Sequence, residues 1–294
     1  MQQLAQCVKR VTDLDISLPF SVFSAVKEQY LVNVTVAKPL LICVLSGYKQ
    51  VTLGAAETSL LHCDTGQFLF LSNNAQLAMR NIPQGQEYLA LLIEFEFDDF
   101  ACFQSPSFSD LLRGYDINWG INHQDPPSPL SGEIAFDGKI NALMRQTLQQ
   151  FVEWSASAPK VLWQIRRQEI LQLWFHQGYH QVSAMLEPRS VSHKIQQLIS
   201  AQVSEEVGAD VLSAKLAMSE STLRRKLQAE GTSLREIRDR VKLGYGLYLI
   251  QTSHQPIGRI AQQCGYVSQS RFTDKFKQLL GITPSELRKT RMHD

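Results

Sequence analysis

The hydrophobic pattern of the chain changes part-way along its length. Between about residues 20 and 100, apolar residues alternate with polar ones or form short runs, and Gly, Pro and Asn residues separate the runs. This pattern predicts short β-strands arranged as a sandwich or barrel. The predicted strands lie at 30–36, 40–45, 49–53, 67–72, 75–80 and 88–97.

Helical periodicity replaces this alternation after Phe136, and two amphipathic helices are predicted within 138–178. Their apolar faces carry Ile140, Leu143, Met144, Leu148 and Phe151 in the first helix, and Leu162, Ile165, Ile170, Leu173 and Trp174 in the second. The pair would pack over the mouth of the β domain or form a dimer contact, and both roles fit the sequence. From Val191 onward the chain reads as helical throughout.

The predicted fold class is therefore α+β, with a β-sandwich or barrel, a helical pair, and an all-α C-terminal domain. The first domain covers residues 1–186 and the C-terminal domain residues 193–294. Residues 187–192 form the predicted linker, because Pro188 disfavours a helical conformation in the residue before it.

Two helix-turn-helix patterns occur in the C-terminal domain, at about 209–229 and 256–278. In the first, Val211, Leu212 and Leu216 are predicted to face inward, with the small Ala214 where the helices cross. Ser219 is predicted to cap the second helix. In the second unit, Pro256 opens the first helix, Gly265 takes a positive φ in the turn, and Ser268 caps the second helix.

Each second helix buries an apolar i, i+4 pair and leaves a polar face for DNA. Arginine suits guanine and glutamine suits adenine, whereas Lys275 and Lys277 suit phosphates. The predicted DNA-binding residues are Ser221, Thr222, Arg224, Arg225 and Gln228 in the first unit, and Gln269, Ser270, Arg271, Thr273, Lys275 and Lys277 in the second.

A single helix at 233–252 is predicted to join the units. Gly231 ends the helix before it, and Ser233 caps its start. About twenty residues span roughly 30 Å, close to the roughly 34 Å between successive major-groove faces. Gly244 and Gly246 each weaken such a helix by about 1 kcal/mol relative to alanine. Either neighbours pack tightly at these glycines, or the two units adjust their relative angle.

The distribution of charge supports this assignment. Residues 1–193 hold 13 basic and 18 acidic residues, a net charge of −5, and residues 194–294 hold 16 and 10, a net charge of +6. A basic end on an acidic body predicts a phosphate-backbone partner, here double-stranded DNA, for the C-terminal domain.

The segments LSAKLAMSESTLRRKLQAEGTS (212–233) and IGRIAQQCGYVSQSRFTDKFKQLLGITPSELRK (257–289) resemble the AraC/XylS family of bacterial transcription regulators. More loosely, KPLLICVLSGYKQVTLG followed by DTGQFLFLS resembles the cupin-like sensor domain of that family. The resemblance implies a transcription activator that uses both recognition helices on DNA, with RNA polymerase and a homodimer among its partners. Leu287, Asp274 and the two glycines of the linking helix depart from the family pattern.

Other functional classes are disfavoured. A metal-dependent cupin enzyme needs a His-x-His pair, a Glu and a further His, whereas the strands offer only His62, and His123 lies in the Pro-rich stretch 104–132. We expect no catalysis, metal or cofactor. The five cysteines are scattered and predict reduced, buried thiols. A cytoplasmic location is expected, because neither a transmembrane run nor a secretion signal is present.

The sequence is compatible with more than one signal that would control such a regulator. Lys38, Tyr48, Lys49 and Arg80 would anchor the polar or carboxylate group of a small effector. The alternatives are control by a protein partner and, in a different class, a cupin-fold enzyme or ligand-binding protein with an accessory DNA-binding tail. A small effector would occupy the interior of the barrel. The alternative is that no effector binds and side chains fill this interior. The apolar side chains concerned are Leu41, Cys43, Leu45, Phe68, Phe70, Leu91 and Ile93.

Overall fold

A computed structural model describes residues 1–14, 16–53, 59–73, 75–104, 135–186, 190–205 and 207–291. The strands in these ranges are β1 Ser21–Ala25, β2 Gln29–Thr35, β3 Leu40–Ser46, β4 Tyr48–Leu53, β5 Ser59–Asp64, β6 Gln67–Leu71, β7 Gln76–Ile82, β8 Tyr88–Glu94 and β9 Ala135–Lys139. The α-helices are α1 Gln2–Thr12, α2 Ala142–Ser155, α3 Trp163–His176, α4 Val191–Ser200, α5 Ala209–Lys215, α6 Glu220–Ala229, α7 Leu234–Thr252, α8 Ile257–Gln263, α9 Gln269–Leu280 and α10 Pro284–Lys289. Short 3-10 helices occupy Phe97–Gln104, Lys160–Leu162 and His180–Ala184.

The strands form two antiparallel sheets, which confirms the predicted α+β class with an N-terminal β domain. One sheet has the order β1-β8-β3-β6-β9 and the other the order β2-β7-β4-β5. The alternating runs predicted β2, β3, β4, β6, β7 and β8. Strands β1, β5 and β9 and the N-terminal helix α1 were not predicted from the sequence. Most of the Pro-rich stretch and three residues of the predicted linker lie outside the described residues.

The outer face of the five-stranded sheet is covered by α1, α2 and α3. The resulting core, here called the helix-side core, contains Phe68 and Phe70 of β6 together with Trp174 of α3. The ring centroids of Phe68 and Trp174 lie 5.6 Å apart in an edge-to-face arrangement. The seven residues predicted to line the barrel interior all belong to this core. All seven are buried, which fits the interpretation that they simply fill a core, but the predicted location in the barrel interior was wrong. Both faces of the sheet are apolar, so alternation does not reveal which face is the interior.

The true interior of the sandwich continues into the C-terminal domain. Ile42, Leu69 and Leu92 belong to the same buried cluster as Leu247 of α7 and Phe272 of α9, which we call the shared core. Polar contacts cross the same boundary. The Asn33 side chain donates to the Leu279 carbonyl at 3.1 Å, and the Val26 amide donates to the Thr290 carbonyl at 2.7 Å.

The first helix-turn-helix unit has a small core of its own, the first-unit core. It combines Ile195 and Ile199 of α4, Leu212 of α5, Leu223 and Leu227 of α6, and Ile237 and Val241 of α7. Helix α7 thus contributes its first half to this core and its second half to the shared core.

Several apolar positions differ from the predicted burial. Val211 is exposed, and Ser213, not Ala214, is buried where the helices meet. Leu143, Leu162 and Ile165 are also exposed, since α2 and α3 bury one narrow face each. In the described part of the chain, we find no helix that is both long and apolar enough to cross a membrane.

The two glycines of α7 have different environments, and only one of them is explained by close packing of a neighbour. A Cβ on Gly246 would lie 2.8 Å from the Phe272 ring, so this glycine permits close packing in the shared core. A Cβ on Gly244 would meet no atom within 4 Å.

We therefore expect opposite effects from the two alanine substitutions. Gly244→Ala should raise the free energy of unfolding by up to about 1 kcal/mol through helix propensity. Gly246→Ala should lower it by about 1–3 kcal/mol, because the Phe272 ring must move. Chemical denaturation of both variants beside the parent protein checks this, and equal effects of the two would contradict it.

Candidate nucleic-acid interface and interdomain cavity

The first recognition helix is α6. The Ser219 hydroxyl accepts a hydrogen bond from the Thr222 amide at 3.2 Å, as the sequence predicted for its N-cap. Leu223 and Leu227 anchor the helix in the first-unit core. Its opposite face is exposed and carries Ser221, Arg224, Arg225 and Gln228, with Thr222 half-buried.

A concave surface joins this face to the start of α7. It is lined by Arg224, Arg225 and Gln228 and also by Arg235, an exposed residue of α7 that the sequence analysis did not single out. Arg235 lies in the first turn of α7, between Ser233 and Glu236, the two residues of its capping box. Its position two residues after the N-cap Ser233 was the sequence signal that could have identified Arg235 as a candidate residue. Three guanidinium groups on one concave surface can donate hydrogen bonds to bases or phosphates.

Glu230, the C-cap residue directly after α6, fixes this unit to the preceding helix α4. Its carboxylate accepts hydrogen bonds from the Val191 and Ser192 amides at 2.9 and 2.8 Å, at the start of α4. Burial opposes ionisation of this carboxyl, but the hydrogen bonds from Ser192 and Val191 outweigh burial and lower the pKa of Glu230. The charge therefore persists at neutral pH and holds the end of the recognition helix in place.

The second recognition helix is α9, capped by the Ser268 hydroxyl, which accepts from the Arg271 amide at 3.3 Å. Phe272 and Phe276 are buried as predicted. Gln269, Ser270, Arg271 and Lys277 are exposed, and Thr273 is half-buried. Lys275 differs from the others, because its ammonium lies 3.6 Å from the Asp239 carboxylate of α7. This ion pair leaves Lys275 less available to a phosphate than Lys277.

The turns of the two helix-turn-helix units have a positive φ at the equivalent position, but the residue type at this position differs. Ala217 and Gly265 each follow the C-cap of the first helix, and both have a positive φ, of 51° and 72° respectively. The predicted positive φ of Gly265 is confirmed. The left-handed backbone conformation raises the free energy of an alanine by about 1–2 kcal/mol relative to its preferred conformations.

We expect Ala217→Gly to raise the free energy of unfolding by roughly 0.5–1 kcal/mol, after the flexibility of glycine in the unfolded chain is subtracted. The reverse change in the second unit, Gly265→Ala, should be destabilising, because its Cβ would also lie 2.8 Å from the Ser204 carbonyl oxygen. Thermal unfolding of the two variants measures both effects. A destabilised Ala217→Gly protein would show that the turn is not strained.

A cavity of about 350 Å³ lies between the sandwich and α7. Its walls come from both domains and are mostly apolar, with Leu77 and Leu92 on the strands facing Val241 and Tyr245 on the helix. The polar residues on its walls include Lys38, Lys49, Glu94 and Arg240. The cavity thus adjoins the helix that connects the two recognition helices.

Of the four predicted effector anchors, Lys38 and Lys49 line this cavity, and Tyr48 and Arg80 do not. Tyr48 precedes Lys49 on β4 and points to the other face of its sheet, where its ring stacks on His62 at 5.0 Å. Arg80 lies 4.9 Å from the Tyr30 ring and 3.7 Å from the Glu28 carboxylate. Lys38 pairs with the Glu96 carboxylate at 2.6 Å.

His62, the histidine considered as a metal ligand, contacts the Asp64 carboxylate at 3.0 Å on this outer face. Within the described ranges, the side chains of His, Cys, Asp and Glu form no group of three that could hold a metal ion. The described cysteines Cys7, Cys43, Cys63, Cys102 and Cys264 are free thiols.

A family model described as a helix-turn-helix domain matches residues 212–290, which include both recognition helices. The C-terminal domain is an AraC-type helix-turn-helix domain. The AraC/XylS resemblance of the two quoted segments is thereby confirmed. The transcriptional regulator AdiY of Escherichia coli is 30 % identical over 94 residues, and the urease operon transcriptional activator of Escherichia coli is 32 % identical over 102. These matches cover 32 % and 35 % of this chain, and 37 % and 34 % of the relatives.

The likeness to solved structures extends beyond the AraC-type domain. ToxT of Vibrio cholerae, solved with a bound unsaturated fatty acid, aligns over 95 % of this chain and 97 % of its own with a TM-score of 0.62. Sequence identity in this alignment is 15 %, so it shows the fold alone. The β domain, the helical pair and the AraC-type domain thus occur together in a known fold.

Proposed function

We propose that the protein is a sequence-specific DNA-binding transcription regulator and acts as an activator. Residues 193–294 bind double-stranded DNA, residues 1–186 sense a signal or dimerise, and RNA polymerase is a partner of the bound regulator. One observation carries the proposal: two capped recognition helices expose polar faces that carry arginine, Arg224 and Arg225 on the first and Arg271 on the second. The regulators that share the AraC-type domain support it.

We further propose that a small molecule in the interdomain cavity controls DNA binding. The cavity volume of about 350 Å³ falls in the range of small-molecule sites. Its apolar walls and its lysines Lys38 and Lys49 suit an amphipathic ligand, and the fatty acid in ToxT supports this class. Control by a protein partner is less well supported, since a filled interior would be expected in that case.

The helical pair supports a homodimer in addition. Val161 and Ile165, near the start of α3, are 81 % and 60 % exposed. Exposed apolar side chains of this size mark contact surfaces when they cluster. Sedimentation of the full chain beside a Val161→Ser, Ile165→Ser variant tests this contact, which the substitutions should weaken.

DNA binding is tested by selecting fragments of genomic DNA on the full chain and measuring fluorescence anisotropy across salt. We expect a common sequence among the fragments and an affinity that falls steeply with salt, as neutralised phosphates release their counterions. Binding without sequence preference, or no binding either with or without oleate, would contradict the proposal. The full chain is used because the second unit shares its core with the sandwich.

Cavity control is tested with oleate as the probe and the selected DNA as the reporter. Gly244→Phe would fill the cavity from α7, because the Cβ position of Gly244 meets open space and the residue lines the cavity. Gly244→Ala is the matched control. We expect oleate to change the DNA affinity of the parent protein and Gly244→Ala severalfold, and to leave Gly244→Phe unchanged. An equal response of all three proteins would place the ligand elsewhere.

A further inference from the structure

Lys49 is a buried amine on the wall of the interdomain cavity. It is 2 % exposed and lies on β4, in the interior of the sandwich. Its ammonium donates to the Asn81 amide oxygen at 2.6 Å and to the Met79 sulfur at 3.1 Å. No carboxylate among the described residues forms an ion pair with it. A buried lysine without a counter-charge is uncommon and often has a chemical role.

The surroundings of Lys49 favour the uncharged amine. Burial lowers the pKa of Lys49 to about 7. The groups that face it do not supply a negative charge at neutral pH. Burial raises the pKa of the Cys63 thiol to about 12 and that of the Tyr88 hydroxyl well above its ordinary value, so both stay protonated. The free amine is therefore far more abundant at Lys49 than at an ordinary exposed lysine near pH 7.

An uncharged amine beside an apolar cavity is a nucleophile toward carbonyl carbon. The side chains of Leu77, Met79 and Leu92 line the same cavity and would exclude water from a bound chain. These conditions favour a ligand with an apolar body and a carbonyl end.

We propose that Lys49 forms a reversible imine with an apolar aldehyde bound in the interdomain cavity. The Lys49 nitrogen lone pair attacks the carbonyl carbon, and the electron pair of the C=O bond moves to oxygen. The nitrogen gives up both its protons to that oxygen, which leaves as water while the C=N bond forms. The step requires no oxidant or reductant. It rests on the proposed function, because it takes the cavity as the effector site.

A chain of hydrogen bonds connects this amine with the AraC-type domain. Asn81, the acceptor for Lys49, donates its amide N–H to the Gln29 side-chain oxygen at 2.9 Å. Gln251 of α7 donates to the same oxygen at 3.2 Å. A neutral imine has no N–H for the Asn81 oxygen to accept. Imine formation would therefore disturb the hydrogen bonds that join the sandwich to α7, and so would report the ligand to the DNA-binding units.

The test uses decanal as the probe on the full chain at about pH 7, with cyanoborohydride to reduce any imine, followed by peptide mass mapping. We expect Lys49 to acquire a decyl group at least about tenfold faster than exposed lysines such as Lys160, because far more of it is uncharged. Lys49→Met should lose this label, whereas Lys38→Met, which removes the other cavity lysine, should keep it. Labelling of surface lysines with Lys49 unmodified in the folded parent protein overturns the proposal.

Two further measurements separate this proposal from the proposed function. Decanoate, which has the same chain without an aldehyde, should slow the labelling of Lys49 by competing for the cavity. DNA affinity is measured on the same preparation. Lys49 unlabelled in a protein that binds DNA overturns the imine alone, whereas a labelled Lys49 in a protein without sequence-specific binding supports the imine and contradicts the proposed regulation. Mapping of the parent protein decides the matter even if a Lys49 variant fails to fold.

Discussion

Replacing Arg224 or Arg225 by alanine is expected to weaken binding to the selected DNA roughly 5- to 150-fold, which corresponds to about 1–3 kcal/mol for a bidentate arginine contact. Both side chains are exposed on the face of α6 opposite Leu223 and Leu227. If the lost contact is to a base, preference at one position of the site should relax. If it is to a phosphate, affinity should fall for all sequences and the salt slope should decrease by about 1.

Arg10→Ala is the matched control for this series. Arg10 has a side chain 71 % exposed on α1, in the other domain, and its loss should leave DNA affinity unchanged. Anisotropy titrations at two salt concentrations distinguish the outcomes. Unchanged affinity of both Arg224→Ala and Arg225→Ala would show that α6 is not a recognition helix.

Replacing Arg167 by methionine is expected to lower the free energy of unfolding by about 3–5 kcal/mol, because it leaves a buried carboxylate without its cation. Arg167 of α3 lies 2.5 Å from the Asp99 carboxylate, whose side chain is 0 % exposed. A double variant, Arg167→Met with Asp99→Asn, removes the charge as well. It should recover a large part of the loss in urea denaturation.

The loss should also depend on pH. Burial raises the pKa of Asp99, although the hydrogen bond and charge of Arg167 act against this effect. Without Arg167 the folded-state pKa should rise further above its unfolded value. The folded protein then binds more protons than the unfolded one in the window between the two values, so stability rises as pH falls. The deficit of Arg167→Met should therefore be smaller at about pH 5 than at about pH 8. A deficit independent of pH would indicate lost packing rather than an unpaired charge.

Local signals predicted the AraC-type domain well. Ser219, Ser233 and Ser268 cap helices where their hydroxyls satisfy free amides at the helix start, and this chemistry depends only on the next three residues. The positive φ of Gly265 could likewise be predicted from its residue type and its place in the turn. The two helix-turn-helix units could thus be predicted from short segments of sequence.

The β domain was less predictable, because its partners are distant in sequence. Leu41 and Ile42 are neighbours that lie in different cores, and no property of the β3 sequence tells which core contains the cavity. Tyr48 and Lys49 are also neighbours, and only the position of α7 decides that Lys49 faces the cavity. Strand β9 was missed because it joins β6 across more than sixty residues of chain.

The walls of the interdomain cavity, contributed by strands on one side and by α7 on the other, impose a thermodynamic symmetry. If a molecule in the cavity changes the affinity for DNA by some factor, DNA must change the affinity for that molecule by the same factor. Under the proposed function, DNA would then act as an effector of the β domain. A cell with many occupied sites would hold this ligand at a different free concentration from a cell with few, and the regulator would respond to the number of its own sites as well as to its signal.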